Sequence, residues 1–206
     1  MFAEKGMRVV NDIYFIMRVN LCWFLFVIEG GVILGLIPAT ITLFSCIRNR
    51  MKNDFQGGIY REFKAAYWEN FKTSIPITVG FAAVIALFVF DTAVLNGVGR
   101  ASLLLQIVLR ATRLLIVLTG ILFFPVYVHF DLHGSKVWLQ PFLFLFICPF
   151  QVVLILLMLV ATAMLYMFNP LLVAFLGVGF PAYFVMGVML KKFNKLAARI
   201  PSMEGA

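Results

Sequence analysis

Apolar residues run through this chain in long blocks with few polar interruptions. The first block extends from Val19 to Ile47, the second from about Ser74 to Asp91, and the third from Ser102 to Phe130. A fourth runs from about Val137 to Phe168 and a fifth from Leu171 to Leu190. Roughly 20 consecutive apolar residues in helical conformation cross a bilayer core of about 30 Å. The first block is long for one span and short for two. It contains Gly30 and Gly31, then Pro38, and reads as a tilted, kinked or broken helix.

One sizeable polar segment, Arg48–Lys72, interrupts the pattern. After Gly57 and Gly58, the residues Ile59, Phe63, Ala66, Tyr67 and Phe71 recur at three- and four-residue spacing, with charges between them. That periodicity predicts an amphipathic helix over about 59–72, lying along the membrane surface. The pattern as a whole predicts an all-α integral membrane protein. It has about five transmembrane helices, at 19–47, 74–94, 102–130, 137–168 and 171–190, plus one amphipathic cytoplasmic interfacial helix. All belong to a single membrane domain over 1–206.

Composition agrees with this pattern. The chain is 63% apolar and 13% charged, whereas soluble domains run at about 45–50% and about 25%. Its formal charge of +8 falls between and after apolar blocks. There it reports topology and contact with anionic lipid rather than nucleic-acid binding. In a five-span chain, 11 of the 17 Lys and Arg residues fall on the side of the Arg48–Lys72 segment and the C-terminal tail. The positive-inside rule then puts the C-terminus in the cytoplasm and the N-terminus outside. A first segment that turned back would reverse the N-terminus alone. Cys22, Cys46 and Cys148 sit in or beside apolar blocks without metal-ligand spacing, and read as small buried hydrophobes.

Ionisable groups at membrane depth carry the strongest local signal, because each is costly unless paired or hydrated. Glu29, Arg110 and Arg113 would lie at similar depth in the five-span arrangement, roughly 12–16 Å from the outer end at 1.5 Å per residue. A Glu29–Arg110 or Glu29–Arg113 pair is the sharpest expectation. Gly31, Gly35 and Ala39 recur every four residues and form a candidate helix-packing face. Ile59, Phe63, Tyr67 and Phe71 form a candidate face for a cytoplasmic partner. His129, Asp131 and His133 have the spacing of a weak metal set, read here as a polar turn with no metal. No phosphate loop, nucleophile elbow or zinc-protease motif is present, so no catalytic or cofactor-binding residue is assigned and no cofactor is expected.

Several stretches resemble the YesL family of bacterial membrane proteins, which has no assigned biochemical activity. They are Asn20-Leu21-Cys22-Trp23 with the phenylalanines that follow, Gly35-Leu36-Ile37-Pro38-Ala39-Thr40, and Phe63 through Tyr67 to Phe71. The sharpest is Leu122-Phe123-Phe124-Pro125-Val126-Tyr127-Val128-His129-Phe130. Arg110 and Arg113 depart from the family, in a stretch expected to be purely apolar. Members are encoded beside carbohydrate ABC importers. The resemblance therefore implies a non-enzymatic accessory subunit of an oligosaccharide importer in the bacterial cell membrane. Its partners would be membrane lipid, the permease subunits and, through them, an ATPase and a sugar-binding protein. The alternative is a small independent transporter or channel with a polar site at Glu29, Arg110 and Arg113.

Overall fold

A computed structural model describes residues 2–52, 58–97, 103–130, 132 and 134–197. These residues form α1 (Phe2–Glu29), α2 (Ile33–Lys52), α3 (Ile59–Thr73), α4 (Ile75–Gly97), α5 (Leu103–Phe130), α6 (Lys136–Ile147), α7 (Pro149–Phe168), α8 (Leu171–Leu176) and α9 (Gly179–Ala197). Among the described residues there is no strand. Also among the described residues, four segments, Val9–Glu29, Ile75–Ala93, Gln106–Phe130 and Pro149–Phe168, are long and apolar enough to cross a membrane. The protein is an all-α integral membrane protein.

The first apolar block is a helical hairpin rather than one kinked helix. α1 begins at Phe2 and stops at Glu29, and α2 returns along it. Reversal takes place at Gly31, with φ +75°, and Val32, with φ +53°. Left-handed backbone suits glycine but strains a β-branched residue. Local hydrogen bonds hold the turn: the Val32 N–H donates to the Val27 carbonyl at 2.9 Å, and the Gly30 N–H to Phe26 at 3.0 Å. Two contacts between the helices fix their antiparallel register. Trp23 Nε1 donates to Thr40 Oγ1 at 3.1 Å, and Arg50 pairs with Asp12 at 3.5 Å. Both ends of the hairpin therefore lie on one side, which is the reversal of the N-terminus that a turned-back segment entails.

The last two apolar blocks are also broken. Block four divides at Cys148 into α6 and α7, with Pro149 opening the second helix, where a missing N–H is harmless. Block five divides at Gly177–Val178 into the short α8 and the longer α9. Pro125, by contrast, lies inside α5 without ending it.

The amphipathic helix forms over Ile59–Thr73, but its apolar face does not rest on lipid. α3 packs on both α1 and α2, burying Ile59, Phe63 and Tyr67. Phe26 of α1 is the centre of this contact. Its ring lies 5.3 Å from Phe63, 4.9 Å from Tyr67 and 5.9 Å from Tyr60. Asn70 Nδ2 donates to Thr42 Oγ1 of α2 at 3.3 Å. A second aromatic cluster joins α4, α5 and α6 through Phe81, Phe123, Phe124 and Trp138. Phe44 of α2 stacks on Phe124 and links it to the hairpin. A third gathers His129, Phe130, Phe144 and Phe193 where α5, α6 and α9 meet.

Close approach at the hairpin end requires small residues. A Cβ on Gly30 would run into the Tyr67 hydroxyl and come to 2.5 Å from the Gly35 Cα. One on Gly35 would lie 2.7 Å from the Val27 carbonyl oxygen. Gly120 of α5, in contrast, has open space around it. Gly30→Val is therefore expected to destabilise the detergent-solubilised protein by about 2–3 kcal/mol through overpacking. Gly120→Ala should leave it within about 0.5 kcal/mol. Thermal unfolding followed by circular dichroism separates the two, and equal effects would count against close packing at Gly30.

Candidate functional site

Charged groups at span level meet between α4 and α5, but in a pairing the sequence reading did not make. Arg113 Nε donates to Asp91 Oδ2 at 2.5 Å, and its Nη2 to Thr92 Oγ1 at 3.2 Å. The two charged side chains are 29% and 19% exposed, so the pair is half-buried. α4 and α5 run antiparallel, since Phe81 faces Phe124 lower down and Asp91 faces Arg113 higher up. A carboxylate and a guanidinium in such surroundings stay charged because each offsets the other's desolvation.

Glu29 is not part of this arrangement. It closes α1 at the hairpin turn and is exposed, beside Tyr67 of α3. The Tyr67 hydroxyl is buried without a hydrogen-bond partner. Burial pushes its phenol up, and the nearby Glu29 carboxylate adds to the effect. Arg110 is exposed one turn before Arg113 and joins neither carboxylate. The expected cluster is thus replaced by Arg113 with Asp91, a residue that reads in sequence as a span end. Its separation of 22 residues from Arg113 was the available signal.

Below the ion pair, α4 and α5 part to leave an apolar groove. A cavity of about 380 Å³ carries Asp91 and Arg113 on its wall, with Val84, Phe88 and Ile116. A neighbouring cavity of about 500 Å³ continues along Phe81, Phe88, Ile116 and Phe123 to Trp138 of α6.

The second polar arrangement centres on Asn20, which is fully buried. Its Nδ2 donates to the Ala174 carbonyl at 3.0 Å. Its Oδ1 accepts from the N–H groups of Val178 and Gly179 at 3.0 and 3.1 Å. Tyr166 donates its hydroxyl to the Gly177 carbonyl at 2.9 Å. One side chain of α1 therefore satisfies three backbone groups freed where α8 gives way to α9. Such groups are expensive to leave unpaired away from water. The arrangement fixes a helix break, with the Asn20 carbonyl oxygen accepting two bonds and its amide donating one within the chain.

The remaining candidates serve packing within the chain. Gly31 lies in the turn with nothing near its Cβ direction, so it leaves the expected stripe, and Gly30 takes the close-packed position instead. Gly35 and fully buried Ala39 face neighbours in the same chain. Ile59, Phe63 and Tyr67 are covered by α1 and α2, and Phe71 is partly buried against the same core. They are not open to a cytoplasmic partner. His129 stacks on Phe193 with ring centroids 4.4 Å apart, whereas Asp131 and His133 lie outside the described residues. Among the described residues no group of three potential metal ligands is gathered. Cys22, Cys46 and Cys148 are free and buried.

A small set of substitutions tests the polar contacts. Asp91→Asn or Arg113→Leu alone is expected to lower stability by about 3 kcal/mol, since each strands a half-buried charge or donor. The exchanged double variant Asp91→Arg/Arg113→Asp should recover part of that loss, and Glu29→Gln should change stability by under about 0.5 kcal/mol. Asn20→Leu should cost about 3 kcal/mol or more by leaving its three backbone partners unsatisfied. A denaturation series in one detergent reads all of these, and additive losses in the exchanged variant would rule out the Asp91–Arg113 coupling.

No curated protein and no solved structure matches the chain. Residues 16–92, from α1 to the Asp91–Thr92 end of α4, match the model of the family described as "Protein of unknown function, DUF624", to which the YesL proteins belong.

Proposed function

We propose that this protein is a non-enzymatic accessory subunit that packs against the membrane helices of a partner through α4 and α5. The observation that carries this reading is how little of these two helices the chain itself covers. Only 11% of the most apolar stretch of each is buried, against 44% for α1. Ile85, Leu87, Val89 and Phe90 of α4 and Leu114 and Val117 of α5 are exposed, and an open groove runs between the helices. Lipid tails can coat such a surface. A half-buried ion pair at the groove's end is better suited to a protein neighbour, because polar groups within a bilayer act chiefly between helices.

The partner class follows from the resemblance to YesL proteins, supported by the DUF624 match. It is the permease of a bacterial carbohydrate ABC importer, and through it an ATPase and a sugar-binding protein. In this reading the ends of α2 and α9, rich in Lys and Arg, face the cytoplasm. The helical hairpin brings the N-terminus to the same side. Contact with the permease runs through α4 and α5 rather than through α3, whose apolar face is occupied.

A second reading keeps the chain as a small independent transporter, favoured by Asp91 and Arg113 lining a cavity. The two differ in what the isolated protein does. Photo-crosslinking residues placed at Leu87 or Val117, with Met164 on α7 as a control, are expected to capture permease chains in native membranes from α4 and α5 alone. Affinity purification in mild detergent should recover the same chains. Recovery of this protein alone, with solute uptake into liposomes that Asp91→Asn abolishes, would overturn the accessory role in favour of transport.

A further inference from the structure

α2 and α9 run side by side, and an open cleft of about 470 Å³ runs along α9 beside Met51 of α2, lined by Tyr183, Phe184, Gly187, Val188, Lys191 and Asn194. Its position is defined by a change of character along α9. Gly179–Leu190 is almost wholly apolar, and Lys191 and Lys192 follow at once. The cleft straddles that boundary. Phe184 and Val188 provide an apolar wall, and Lys191 and Asn194 provide hydrogen-bond donors at the rim.

The two helix ends beside the cleft are basic. Arg50 and Lys52 end α2, while Lys191, Lys192 and Lys195 end α9. Asp12 of α1 reaches this end, and it is already engaged. Arg50 pairs with it at 3.5 Å, and Tyr183 lies close to it. Among the described residues Lys191 has no carboxylate partner. The cleft is also too large for a bare anion, amounting to roughly fifteen water volumes at about 30 Å³ each. Gly187 helps to keep it open, since a Cβ there would already lie 3.4 Å from Met51 Cε.

An apolar wall beside donors of positive charge, at the level where a helix leaves the hydrocarbon, is complementary to an anionic amphiphile. We propose that this cleft is a binding site for an anionic phospholipid. Lys191 and Asn194 contact the head-group phosphate, and the start of one acyl chain lies along Phe184 and Val188. The Arg50–Asp12 pair holds α2 against α1 and leaves Lys191 to serve the ligand. This assignment does not depend on the partner proposed above, because the cleft lies between α2 and α9, away from the α4–α5 face.

The test uses the full-length protein, purified in mild detergent and stripped of lipid. Phosphatidylglycerol and phosphatidylcholine with identical acyl chains, and inorganic phosphate, are titrated separately. Binding is read by native mass spectrometry and by thermal unfolding. Phosphatidylglycerol is expected to give a retained one-to-one adduct and to raise the unfolding midpoint, whereas the other two do neither. Lys191→Gln should weaken the phosphatidylglycerol adduct about fivefold, and Lys191→Arg should retain it. Gly187→Leu should occlude the cleft, and a distant Lys64→Gln should change nothing. Equal binding of both lipids would overturn the proposal. So would stabilisation by inorganic phosphate alone, which would mark a soluble-anion site, or an adduct unchanged in Lys191→Gln. Should Gly187→Leu fail to fold, the Lys191 pair decides the matter.

Discussion

Every interruption of a helix in this protein faces the same constraint: a backbone N–H or carbonyl freed in an apolar setting must find a partner in the chain. Three of these interruptions meet it by different means. At Gly30–Val32 the turn satisfies itself through short-range bonds to Phe26, Val27 and Ile28. At Cys148 the N–H still reaches the Phe144 carbonyl, and Pro149 brings no donor to satisfy. At Gly177–Gly179 local bonding is insufficient, and Asn20 reaches from α1 to close the remaining groups. Deleting a hydrogen bond is a modest loss in water but a large one where no solvent competes. Asn20 therefore ties the first helix to the break between α8 and α9.

Around this tie the aromatic clusters divide the molecule into two unequal parts. α1, α2, α3 and α9 form a tightly buried centre, in which Phe26, Phe63, Tyr67, Met186, Met189 and Phe193 are almost inaccessible. α4 and α5 are held to it at one end by Phe44, Phe81 and Phe124. Beyond these rings they extend with little cover, joined chiefly through Asp91 and Arg113. An ion pair there adds direction that apolar contacts lack, because it sets how α4 and α5 face each other. The functional reading rests on this asymmetry: a centre that satisfies itself, and a pair of helices that does not.

The basic end of the molecule has a different logic. Arg50, Lys52, Lys191 and Lys192 converge because α2 and α9 run in the same direction and end together. Met51 lies against Gly187 at that point. Asp12 neutralises only part of this charge. Lipid head groups are the anions most abundant at such a surface, and charge left over at a helix end in an apolar wall is what they recognise.

Hydropathy alone determined the solvent, the helical class, and the positions of α4 and α5, because about 20 apolar residues in a row admit one reading in a bilayer. Periodicity also located α3 within a residue or two. What it could not decide was which side of each helix faces protein. Ile59, Phe63 and Tyr67 make the same stripe whether they meet lipid, a partner or α1 and α2. Gly30–Gly31 signalled a break, yet a kink and a full reversal differ only in the left-handed backbone of two residues. Pairing of charges was equally hidden. Glu29 and Arg113 matched in depth under a five-span count, and once the hairpin forms that count no longer holds, leaving Asp91 opposite Arg113. Partners distant in the chain, such as Asn20 and the Ala174–Gly179 segment, are set by how the helices pack, which tertiary structure alone decides.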